Sequence, residues 1–472
     1  MSPPSEITIS PATRIEGHGQ VTIVLDDRGN VSDAYFQATE IRGFEYFLRG
    51  MDAEKLPFMV SRICGVCSAA HMLASVKAIE NIYRTRITET AEKLRELLLL
   101  AQLIASHSLV FYFLVLPDFW FPLDENPSKR NIFQIMREKP DIGREALRLR
   151  SFATDMLYKI GGREVHVVSL IAGGLAKPLS VKDREILLNH ARDACSITQK
   201  ALELGKTVFE ENWDRLSQLS NCCRTSYMAL NDKNNLEFYH GKIRIIDSIG
   251  NQLDEFEEQD YVNRILEESS SRSYSKSAYY KASNEADRVV QVGPTARMNV
   301  SSGIKTEGAN KELRYFKAKF GKPAHEAILF DYARLIDLMY ACERSVELLE
   351  DESITRNDVR VPVKARAGEG VGIVEAPRGT LSHHYWLTRT GKLKQMKLII
   401  PTQVNSDAID MSIKSVASQF ISNGQTKEGL LNGVEMLVRA FDPCIKCSTR
   451  MANSSISIEI RDSNKNLLKI LK

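Results

Sequence analysis

The chain carries two cysteine pairs, in Arg62-Ile63-Cys64-Gly65-Val66-Cys67 and in Asp442-Pro443-Cys444-Ile445-Lys446-Cys447. Each pair places two sulfur atoms on one side of a turn, where both can bind the same metal ion. Most of the 472 residues lie between the pairs, so they meet only if the whole fold is built around their junction. Four converging thiolates select soft metals such as zinc, iron, nickel or copper(I). A structural zinc ribbon has its pairs a few tens of residues apart, so this separation favours a buried catalytic metal.

Composition narrows the class of protein. With 43% hydrophobic residues, the chain can bury a large core. Its mass of 53.2 kDa is compatible with about three domains or with one large intertwined unit. A net charge of +3 argues against nucleic-acid binding and membrane-surface attachment. Eight cysteines are few for a disulfide framework, and the first residues lack the features of a signal peptide. We therefore expect a cytoplasmic protein with no nucleic-acid and no membrane partner.

Hydrophobic patterning predicts a mainly helical body with small β elements, an α+β fold whose two ends return to one centre. Alternating residues predict strands at 7–9, 21–25, 31–38, 242–246, 371–375 and 398–401. Three- and four-residue spacing predicts helices over 69–85, 88–116, 143–160, 181–217 and 326–350. The apolar stretch 97–116 is about long enough to span a bilayer, but its polar side chains would be costly against lipid, so we expect a central helix. The Ser/Tyr/Lys-rich run 268–281 is expected to be a surface excursion.

Two further side chains are placed near the cysteines by their spacing or their chemistry. His71 follows Cys67 by four residues, so on a helix its imidazole lies on the same face, as a hydrogen-bond donor to a sulfur or as an ordinary core histidine. Glu16 lies in the charged cluster Thr13-Arg14-Ile15-Glu16-Gly17-His18. A carboxylate beside a thiolate-bound metal is a good proton acceptor, but spacing alone does not exclude a surface salt bridge.

These motifs together resemble the large subunit of [NiFe] hydrogenases, from Ile9 to the end of the chain. The resemblance rests on both cysteine motifs and His71, and on Thr-Arg-Ile-Glu-Gly-His at 13–18, Arg-Gly-Phe-Glu at 42–45 and Glu-Ala-Pro-Arg-Gly at 375–379. It implies the fold of that subunit, with a central helical bundle and the N- and C-terminal motifs meeting at the metal site. Residues 1–450 would then form a single intertwined catalytic unit.

The resemblance also implies a Ni-Fe(CO)(CN)2 centre and the roles of its ligands. All four cysteines would bind nickel. Cys67 and Cys447 would also bridge to the iron, while Cys64 and Cys444 would be terminal ligands. Dihydrogen would be split heterolytically, with the proton passing to a terminal thiolate and then to Glu16.

The same resemblance assigns the residues around the diatomic ligands. Arg378 and Asp442 look like the family's charged pair, with a guanidinium that can donate to a cyanide. Thr402, after Pro401, resembles the hydroxyl donor to the other cyanide.

A divalent cation, usually assigned as Mg²⁺, is expected near the C-terminus. By resemblance its ligands would be Glu45 and the backbone carbonyl of Leu398, since oxygen donors suit a hard cation. Many relatives continue the second cysteine pair with a ligating histidine, where this chain has Arg450. Arginine offers no lone pair, so the ion would be bound more weakly, completed by water, or replaced by the guanidinium.

Arg450-Met451 resembles the point at which a maturation endopeptidase removes a C-terminal extension, here residues 451–472. The extension contains an alternating stretch, Ile456-Ser457-Ile458-Glu459-Ile460, that predicts a strand. Removal is expected to follow nickel insertion, which in this family needs dedicated chaperones.

The partner class is suggested by three stretches, around 106–119, 292–299 and 379–385. They most resemble the soluble, bidirectional, NAD(P)-linked hydrogenases. The chain has no Gly-rich dinucleotide fingerprint and no further cysteine cluster for iron–sulfur centres. Fe-S clusters, FMN and NAD(P) are therefore expected only in partner subunits, namely an iron–sulfur small subunit followed by a flavin-containing diaphorase.

Three alternatives remain open. A related hydrogenase could deliver electrons to a heterodisulfide reductase or to a deazaflavin. The quinone-site subunit of respiratory complex I shares this fold but has lost the metal cysteines, which are present here. A non-enzymatic interaction protein could use the same four thiolates to hold zinc.

Overall fold

The computed structural model of the protein describes residues 6–40, 43–123, 125–126, 128–220 and 224–449, and the backbone of 458–461 and 467–471 in the tail. The side chains of 218–220 and of the tail strands are outside the description. The predictions made for Arg450 lie outside the described residues, as do those for the first residues of the tail.

Helices form most of the body. In chain order they are α1 (Phe44–Phe47), α2 (Leu56–Val60), α3 (Ser68–Tyr83), α4 (Glu89–Leu109), α5 (Leu116–Trp120), α6 (Ile132–Glu138), α7 (Pro140–Gly161), α8 (Val181–Ser220), α9 (Tyr261–Arg264), α10 (Pro294–Val300), α11 (Glu307–Phe320), α12 (Leu329–Glu350), α13 (Pro401–Val404), α14 (Ser406–Phe420), α15 (Leu430–Phe441) and α16 (Ile445–Ser448). The five predicted helices are confirmed, with end points that differ by a few residues.

The strands are short and distributed over several small sheets. They are β1 (Glu6–Ile9), β2 (Gly19–Leu25), β3 (Val31–Ala38), β4 (Leu170–Ile171), β5 (Gly174–Leu175), β6 (Ser226–Asp232), β7 (Asn235–Leu236), β8 (Lys242–Ile246), β9 (Gln252–Phe256), β10 (Ile265–Glu268), β11 (Ser277–Tyr280), β12 (Val290–Gln291), β13 (Gly368–Ala376), β14 (Gly379–Leu387), β15 (Leu393–Ile399), β16 (Ile421–Ser422), β17 (Gln425–Thr426), β18 (Ile458–Arg461) and β19 (Leu467–Leu471). The largest groups are the antiparallel sheets β1-β2-β3 and β13-β14-β15 and a sheet of order β12-β6-β8-β9, with β7 beside β6. The predicted strand at 398–401 ends at Ile399, because Pro401 begins α13.

The core is built around α4, which is buried on all sides between Leu97 and Ile104. It packs against α3, α7 and α12, and α12 packs against α8. After Leu109 the helix widens into a π-helical turn, Val110–Val115, before α5. The whole stretch Glu89–Trp120 is long and apolar enough to cross a membrane, but 78% of its apolar window is buried inside the protein. The predicted central helix is therefore confirmed.

Glycines let α3 lie directly on β13. A Cβ atom at Gly370 would stand 2.6 Å from the carbonyl oxygen of Ala78, and one at Gly372 would stand 2.1 Å from that of Ala74. Any side chain at these positions would separate the two elements. This contact brings the start of α3, which follows the first cysteine pair, next to the β13–β14 hairpin.

The two ends of the chain meet in a short parallel bridge between Glu16 and Cys444. The backbone N–H of Ile445 donates to the carbonyl oxygen of Glu16 at 3.0 Å. Gly17 adopts a φ of +92°, which an L-residue with a side chain rarely adopts. The loop 13–18 thus turns sharply beside the second cysteine pair, as the predicted convergence of the termini requires.

The run 268–281 is only partly a surface excursion, which corrects the prediction. Its end forms β11, which pairs with β10. Ser275 forms an antiparallel bridge with Thr449, and Tyr274 donates its backbone N–H to Ala38. The segment therefore pairs with the chain immediately after the last cysteine, a long-range contact that composition does not reveal.

Candidate metal centre

The four cysteines of the two pairs converge on one point. Their sulfur atoms all lie within 4.8 Å of one another. Cys67 Sγ is 3.2 Å from Cys447 Sγ, and Cys444 Sγ is 3.5 Å from Cys64 Sγ. All four residues are at most 5% exposed. The central prediction from the sequence, that the fold brings the pairs together, is confirmed.

Local structure explains how each pair presents its sulfurs. Cys64 follows the 3₁₀ turn Ser61–Ile63 in an extended conformation, and Cys67 is the residue before α3. Cys444 precedes α16, and Cys447 lies inside it. In each pair a turn and the start of a helix place both sulfurs on the same side.

The surroundings of the four sulfurs stabilise one cysteine as a thiolate and disfavour ionisation of a second one. A hydrogen bond donated by the Cys444 thiol is the main reason that the pKa of Cys64 lies well below its ordinary value. Burial raises the pKa of Cys447 well above its ordinary value. Further thiolates in this buried cluster need a compensating cation, so the donor set fits a soft metal ion.

A small cavity lies over the sulfurs and ends at Arg378. It is lined by Cys67, His71, Ala376, Arg378, Leu381, Ile400, Pro401, Thr402, Cys444 and Cys447. Arg378 donates from Nε to the carbonyl oxygen of Asp442 at 2.7 Å and from Nη2 to its carboxylate at 2.9 Å. Its Nη1 is buried and has no hydrogen-bond partner among the described residues. A buried donor without a partner is costly, so the cavity is suited to a ligand that accepts hydrogen bonds, as metal-bound cyanide does.

Thr402 also lines this cavity. Its hydroxyl oxygen accepts the backbone N–H of Cys444 at 3.0 Å. The hydroxyl therefore keeps its own proton for donation into the cavity. The predicted grouping of Arg378, Asp442, Pro401 and Thr402 around the cysteines is reproduced in the structure.

Glu16 faces the sulfurs from the other end of the chain. Cys64 Sγ lies 3.8 Å from Glu16 Oε1, and Lys446 Nζ lies 3.7 Å from the same oxygen. Burial is the main reason that the pKa of Glu16 is raised, and the nearby Cys64 adds to the effect. A carboxylate in this position, with an increased proton affinity, can accept a proton from a cysteine sulfur.

Glu45 and Leu398 are neighbours, as the predicted cation site requires. The backbone N–H of Leu398 donates to Glu45 Oε1 at 2.8 Å. This contact brings α1 against β15 and sets the carboxylate beside the Leu398 backbone. Arg450 lies outside the described residues.

His71 heads a buried chain of hydrogen bonds that the sequence did not reveal. Its Nδ1 lies 3.0 Å from His383 Nε2, and His383 Nδ1 lies 2.7 Å from the Tyr385 hydroxyl. Tyr385 in turn donates to Ser75 at 3.0 Å. His71 and Ser75 lie one turn apart on α3, and His383 and Tyr385 share a face of β14. The i,i+2 spacing of His383 and Tyr385 predicts that they share one face of a strand. Their contacts with His71 and Ser75 on α3 are long-range and are not predictable from spacing.

Asp118 joins the two ends of the site. It accepts hydrogen bonds from Arg14, Arg130 and Arg439, and all three guanidinium groups lie within 2.9 Å of its oxygens. Although burial opposes ionisation, these cations hold the pKa of Asp118 below its ordinary value. Arg14 belongs to the loop of Glu16, and Arg439 lies on α15, just before Asp442. Asp118 thus fixes the loop and the helix relative to each other.

Known proteins match this chain over nearly its whole length. A family profile described as "Nickel-dependent hydrogenase" matches residues 42–124 and 217–450, and a profile described as "HoxL-like" matches 6–41. An F420-non-reducing hydrogenase subunit from Methanothermobacter marburgensis is 36% identical over 98% of this chain and 99% of that protein. The beta subunit of the NAD-reducing hydrogenase HoxS from Cupriavidus necator is 32% identical over 94% of each.

A solved structure agrees with these relatives. It is described as NAD+-reducing [NiFe]-hydrogenase in the H2-reduced state and superposes with a TM-score of 0.91, at 33% identity, over 95% of this chain and 100% of that chain. The chain belongs to the nickel-dependent hydrogenase family as a large, catalytic subunit. The predicted fold class and family resemblance are confirmed.

Proposed function

We propose that this catalytic subunit splits and forms dihydrogen in a complex that passes electrons to NAD(P)+. The observation that carries the proposal is the likeness, over nearly the whole chain, to an NAD+-reducing structure. A second candidate is a hydrogenase that serves another acceptor, such as a heterodisulfide reductase. It is favoured by the 36% identity to F420-non-reducing hydrogenase subunits, which exceeds the 32% for the NAD-reducing relative.

Purification of the native complex separates these acceptors. Hydrogen-dependent reduction of NAD+ and NADP+ is measured beside reduction of an artificial viologen dye. We expect nicotinamide reduction at a rate comparable with dye reduction. A complex that reduces the dye but neither nicotinamide contradicts the NAD(P) proposal and supports the second candidate.

The four cysteines are proposed to hold nickel, with Cys67 and Cys447 also shared with iron. The bound nickel–iron centre supplies the position at which dihydrogen is cleaved heterolytically. The protein would contribute the surroundings of that position: Arg378 Nη1 and the Thr402 hydroxyl would each donate to a ligand in the cavity, and Asp442 holds the guanidinium in place. His71 is proposed to donate a hydrogen bond to a neighbouring cysteine sulfur and so fix its orientation.

Glu16 is proposed to carry the proton away from the sulfurs. Its carboxylate lies within reach of the Cys64 sulfur, and Lys446 lies at its outer side. The side chain is 19% exposed, so it can exchange the proton with solvent or with the next group. This arrangement needs no movement of the backbone.

Electrons have to leave through another subunit. Among the described residues, the four cysteines of the site are the one cysteine group that can hold a metal. We propose that an iron–sulfur small subunit docks beside Cys64 and that a flavin-containing diaphorase follows it. Phe58, which lies on α2 just before the cysteine motif, is 39% exposed and supports docking there.

A second segment adjoins the same motif, since a Cβ atom on Gly65 would stand 3.9 Å from Val165 Cγ1. Val165 is 50% exposed and Val168 is 40% exposed. The intervening His166 is tied to the cysteine motif, because its backbone N–H donates to Ser68 Oγ and its Nδ1 lies 3.0 Å from the Ser61 carbonyl oxygen. Exposed apolar residues grouped on one face mark an interaction site.

A charge placed in this surface tests the docking proposal. Phe58→Glu is expected to abolish co-purification of the iron–sulfur subunit while the catalytic subunit stays folded. Phe133→Glu is the matched control, since Phe133 is 70% exposed on α6. Equal co-purification of the partner with both variants contradicts the proposed surface.

The tail is proposed to be an assembly segment that a maturation endopeptidase removes after Arg450 once nickel is inserted, leaving one catalytic unit of residues 1–450. Thr449 is fully buried and pairs with Ser275, whereas β18 and β19 form a separate two-stranded sheet. Intact mass of nickel-containing protein is the test. Active protein that retains 451–472 contradicts the proposal.

A divalent cation is proposed between Glu45 and the Leu398 carbonyl, with its remaining positions filled by water. The Glu45 carboxylate and the adjacent Leu398 backbone supply oxygen atoms that suit a hard cation. Metal analysis of Glu45→Gln is expected to show loss of magnesium with nickel retained. The complex as a whole is proposed to be cytoplasmic.

A further inference from the structure

The three stretches that suggested the partner class, 106–119, 292–299 and 379–385, meet in one buried network at the centre of the protein. Arg297 comes from the second stretch, Thr380 from the third and His107 from the first. They converge on the carboxylates of Asp337 and Glu375, both fully buried. None of these five residues belongs to the metal centre described above.

Arg297 makes use of every N–H group of its guanidinium. Nε and Nη2 donate to Asp337 at 3.1 and 2.6 Å, and Nη1 donates to Glu375 at 2.7 Å. The remaining hydrogens reach two backbone carbonyls, from Nη1 to Ala376 at 3.3 Å and from Nη2 to Pro377 at 3.0 Å. The last two of these five bonds hold Ala376 and Pro377, the two residues that directly precede Arg378.

The carboxylates fix this guanidinium from both sides. Glu375 also accepts from the Thr380 hydroxyl at 2.6 Å and from the Leu230 N–H at 3.1 Å. Burial opposes the positive charge of Arg297. The carboxylates of Asp337 and Glu375 stabilise this charge and raise the pKa of the guanidinium. Burial lowers the pKa of His107, 3.4 Å from Asp337, to about 4, so this neighbour adds no competing charge near neutral pH.

The backbone around Arg378 leaves little room for movement. Ala376 pairs with Gly379, so Pro377 and Arg378 form the two-residue turn between β13 and β14. Gly379 adopts a φ of +128°, and a Cβ atom there would stand 2.7 Å from the Gly293 nitrogen. Gly293 precedes the helix of Arg297, and a Cβ atom on it would stand 2.9 Å from the carbonyl oxygen of Arg378.

We propose that Arg297 is a positioning residue that fixes the Pro377-Arg378 turn and thereby aims the Arg378 guanidinium into the metal cavity. The proposal rests on the role of Arg378 in the proposed function. Lysine at position 297 would keep the positive charge but has only three N–H groups, all on a single nitrogen. It therefore cannot reproduce the five hydrogen bonds that Arg297 makes. Arg297→Lys therefore loosens the turn without removing the positive charge from the interior.

Arg95→Lys is the matched control. Arg95 is also fully buried and also binds a carboxylate, Glu80, together with two backbone carbonyls, those of Ile171 and Gly174. It fixes the β4–β5 hairpin instead of the Arg378 turn. The two substitutions remove similar numbers of hydrogen bonds from similarly buried sites.

Hydrogen–deuterium exchange of the metal-free proteins gives the first readout. We expect Arg297→Lys to accelerate exchange in peptides covering 376–380 and Arg95→Lys to accelerate it in peptides covering 170–175. The second readout is the infrared spectrum of the matured enzyme, in which Arg297→Lys shifts the cyanide bands and Arg95→Lys leaves them in place. Turnover is expected to fall about 10- to 100-fold in Arg297→Lys, the order of loss caused by a misplaced catalytic group, and to stay within about 2-fold in Arg95→Lys.

A double-substitution cycle with Arg378→Lys shows whether Arg297 acts through Arg378. If it does, Arg297→Lys lowers turnover by less than about 2-fold once Arg378 has been replaced, because coupled residues are not additive. Additive losses, or unshifted cyanide bands with unchanged exchange at 376–380, overturn the inference. If Arg297→Lys fails to accumulate, Asp337→Asn loosens the same guanidinium from its other side and is judged by the same readouts.

Different results would contradict the proposed function itself. If the unsubstituted enzyme shows no carbonyl and cyanide bands, the metal centre itself is wrong. If those bands are present and Arg378→Lys alone leaves turnover unchanged, the role of Arg378 is wrong and the inference falls with it. Each result therefore identifies which of the two statements is contradicted.

Discussion

Replacement of Glu16 by glutamine removes one proton-accepting group and very little else. The amide has the size and shape of the carboxylate, so the loop 13–18 and its backbone bond to Ile445 are retained. The only ion pair lost among the described residues is that with Lys446, at 3.7 Å between side chains that are 39% and 19% exposed. Such a partly exposed pair contributes about 1 kcal/mol or less, so the stability of the protein is expected to change little.

The effect on turnover is expected to be much larger. Glu16 is the carboxylate that lies within reach of a cysteine sulfur, and glutamine cannot accept the proton from it. Loss of a positioned acid–base group lowers rates by about 10²- to 10⁴-fold, which corresponds to roughly 3–5 kcal/mol of activation free energy. Burial raises the pKa of Glu16, so the unprotonated acceptor forms at a higher pH than an exposed glutamate needs. Hydrogen oxidation by the unsubstituted enzyme should therefore rise with pH through this pKa, and Glu16→Gln should lose that limb.

Hydrogen–deuterium exchange catalysed by the purified enzyme measures this step without the electron acceptor. We expect Glu16→Gln to retain nickel, iron and the infrared bands of the diatomic ligands but to lose exchange activity. Glu40→Gln serves as the control, since Glu40 pairs with the exposed His18 in the same region. An exchange rate in Glu16→Gln equal to that of the unsubstituted enzyme refutes the proton-transfer role.

Three further predictions concern the metal ligands and the buried charges. Cys64→Ser and Cys444→Ser should each yield protein without bound nickel, measured by metal analysis, because a neutral hydroxyl does not replace a thiolate ligand. Burial raises the pKa of Asp410 from 3.8 to about 7, so the stability due to its protonated form is lost as pH rises through that range. Urea unfolding of metal-free Asp410→Asn should show a free energy of unfolding higher by up to about 4 kcal/mol above pH 7, with no difference below pH 4; a pH-independent difference contradicts this. Asp118→Asn should lower that free energy by about 3–5 kcal/mol, since it leaves buried guanidinium groups without a counter-charge, and a loss below 1 kcal/mol contradicts the assigned role.

Local patterns were sufficient to predict the five long helices and the convergence of the four cysteines. The apolar spacing of the five long helices fixes which face each buries, so their positions follow from the sequence within a few residues. The cysteine pairs were predictable because thiolates are scarce and their spacing within each pair has few chemical uses. The convergence of Glu16, Arg378 and Thr402 on the sulfurs followed from the resemblance and not from spacing.

Contacts between distant segments could not be predicted from local patterns. Arg297 and Asp337 are separated by 40 residues, and in the sequence each looks like an ordinary charged residue on a helix. The same applies to Asp118, whose three cations come from the N-terminal loop, the following loop and α15. The run 268–281 was interpreted as exposed because it is polar, while its pairing with Thr449 depends on backbone groups that carry no sequence signal.

The central claim is that the four cysteines hold a nickel–iron centre with carbonyl and cyanide ligands. Infrared spectroscopy of protein produced with its maturation machinery tests it most directly, in the region where metal-bound carbonyl and cyanide absorb. One carbonyl band and two cyanide bands are predicted. Their absence from a sample that contains nickel and lacks the tail would mean that the cysteines hold a different metal, and the hydrogenase assignment of the site would be contradicted.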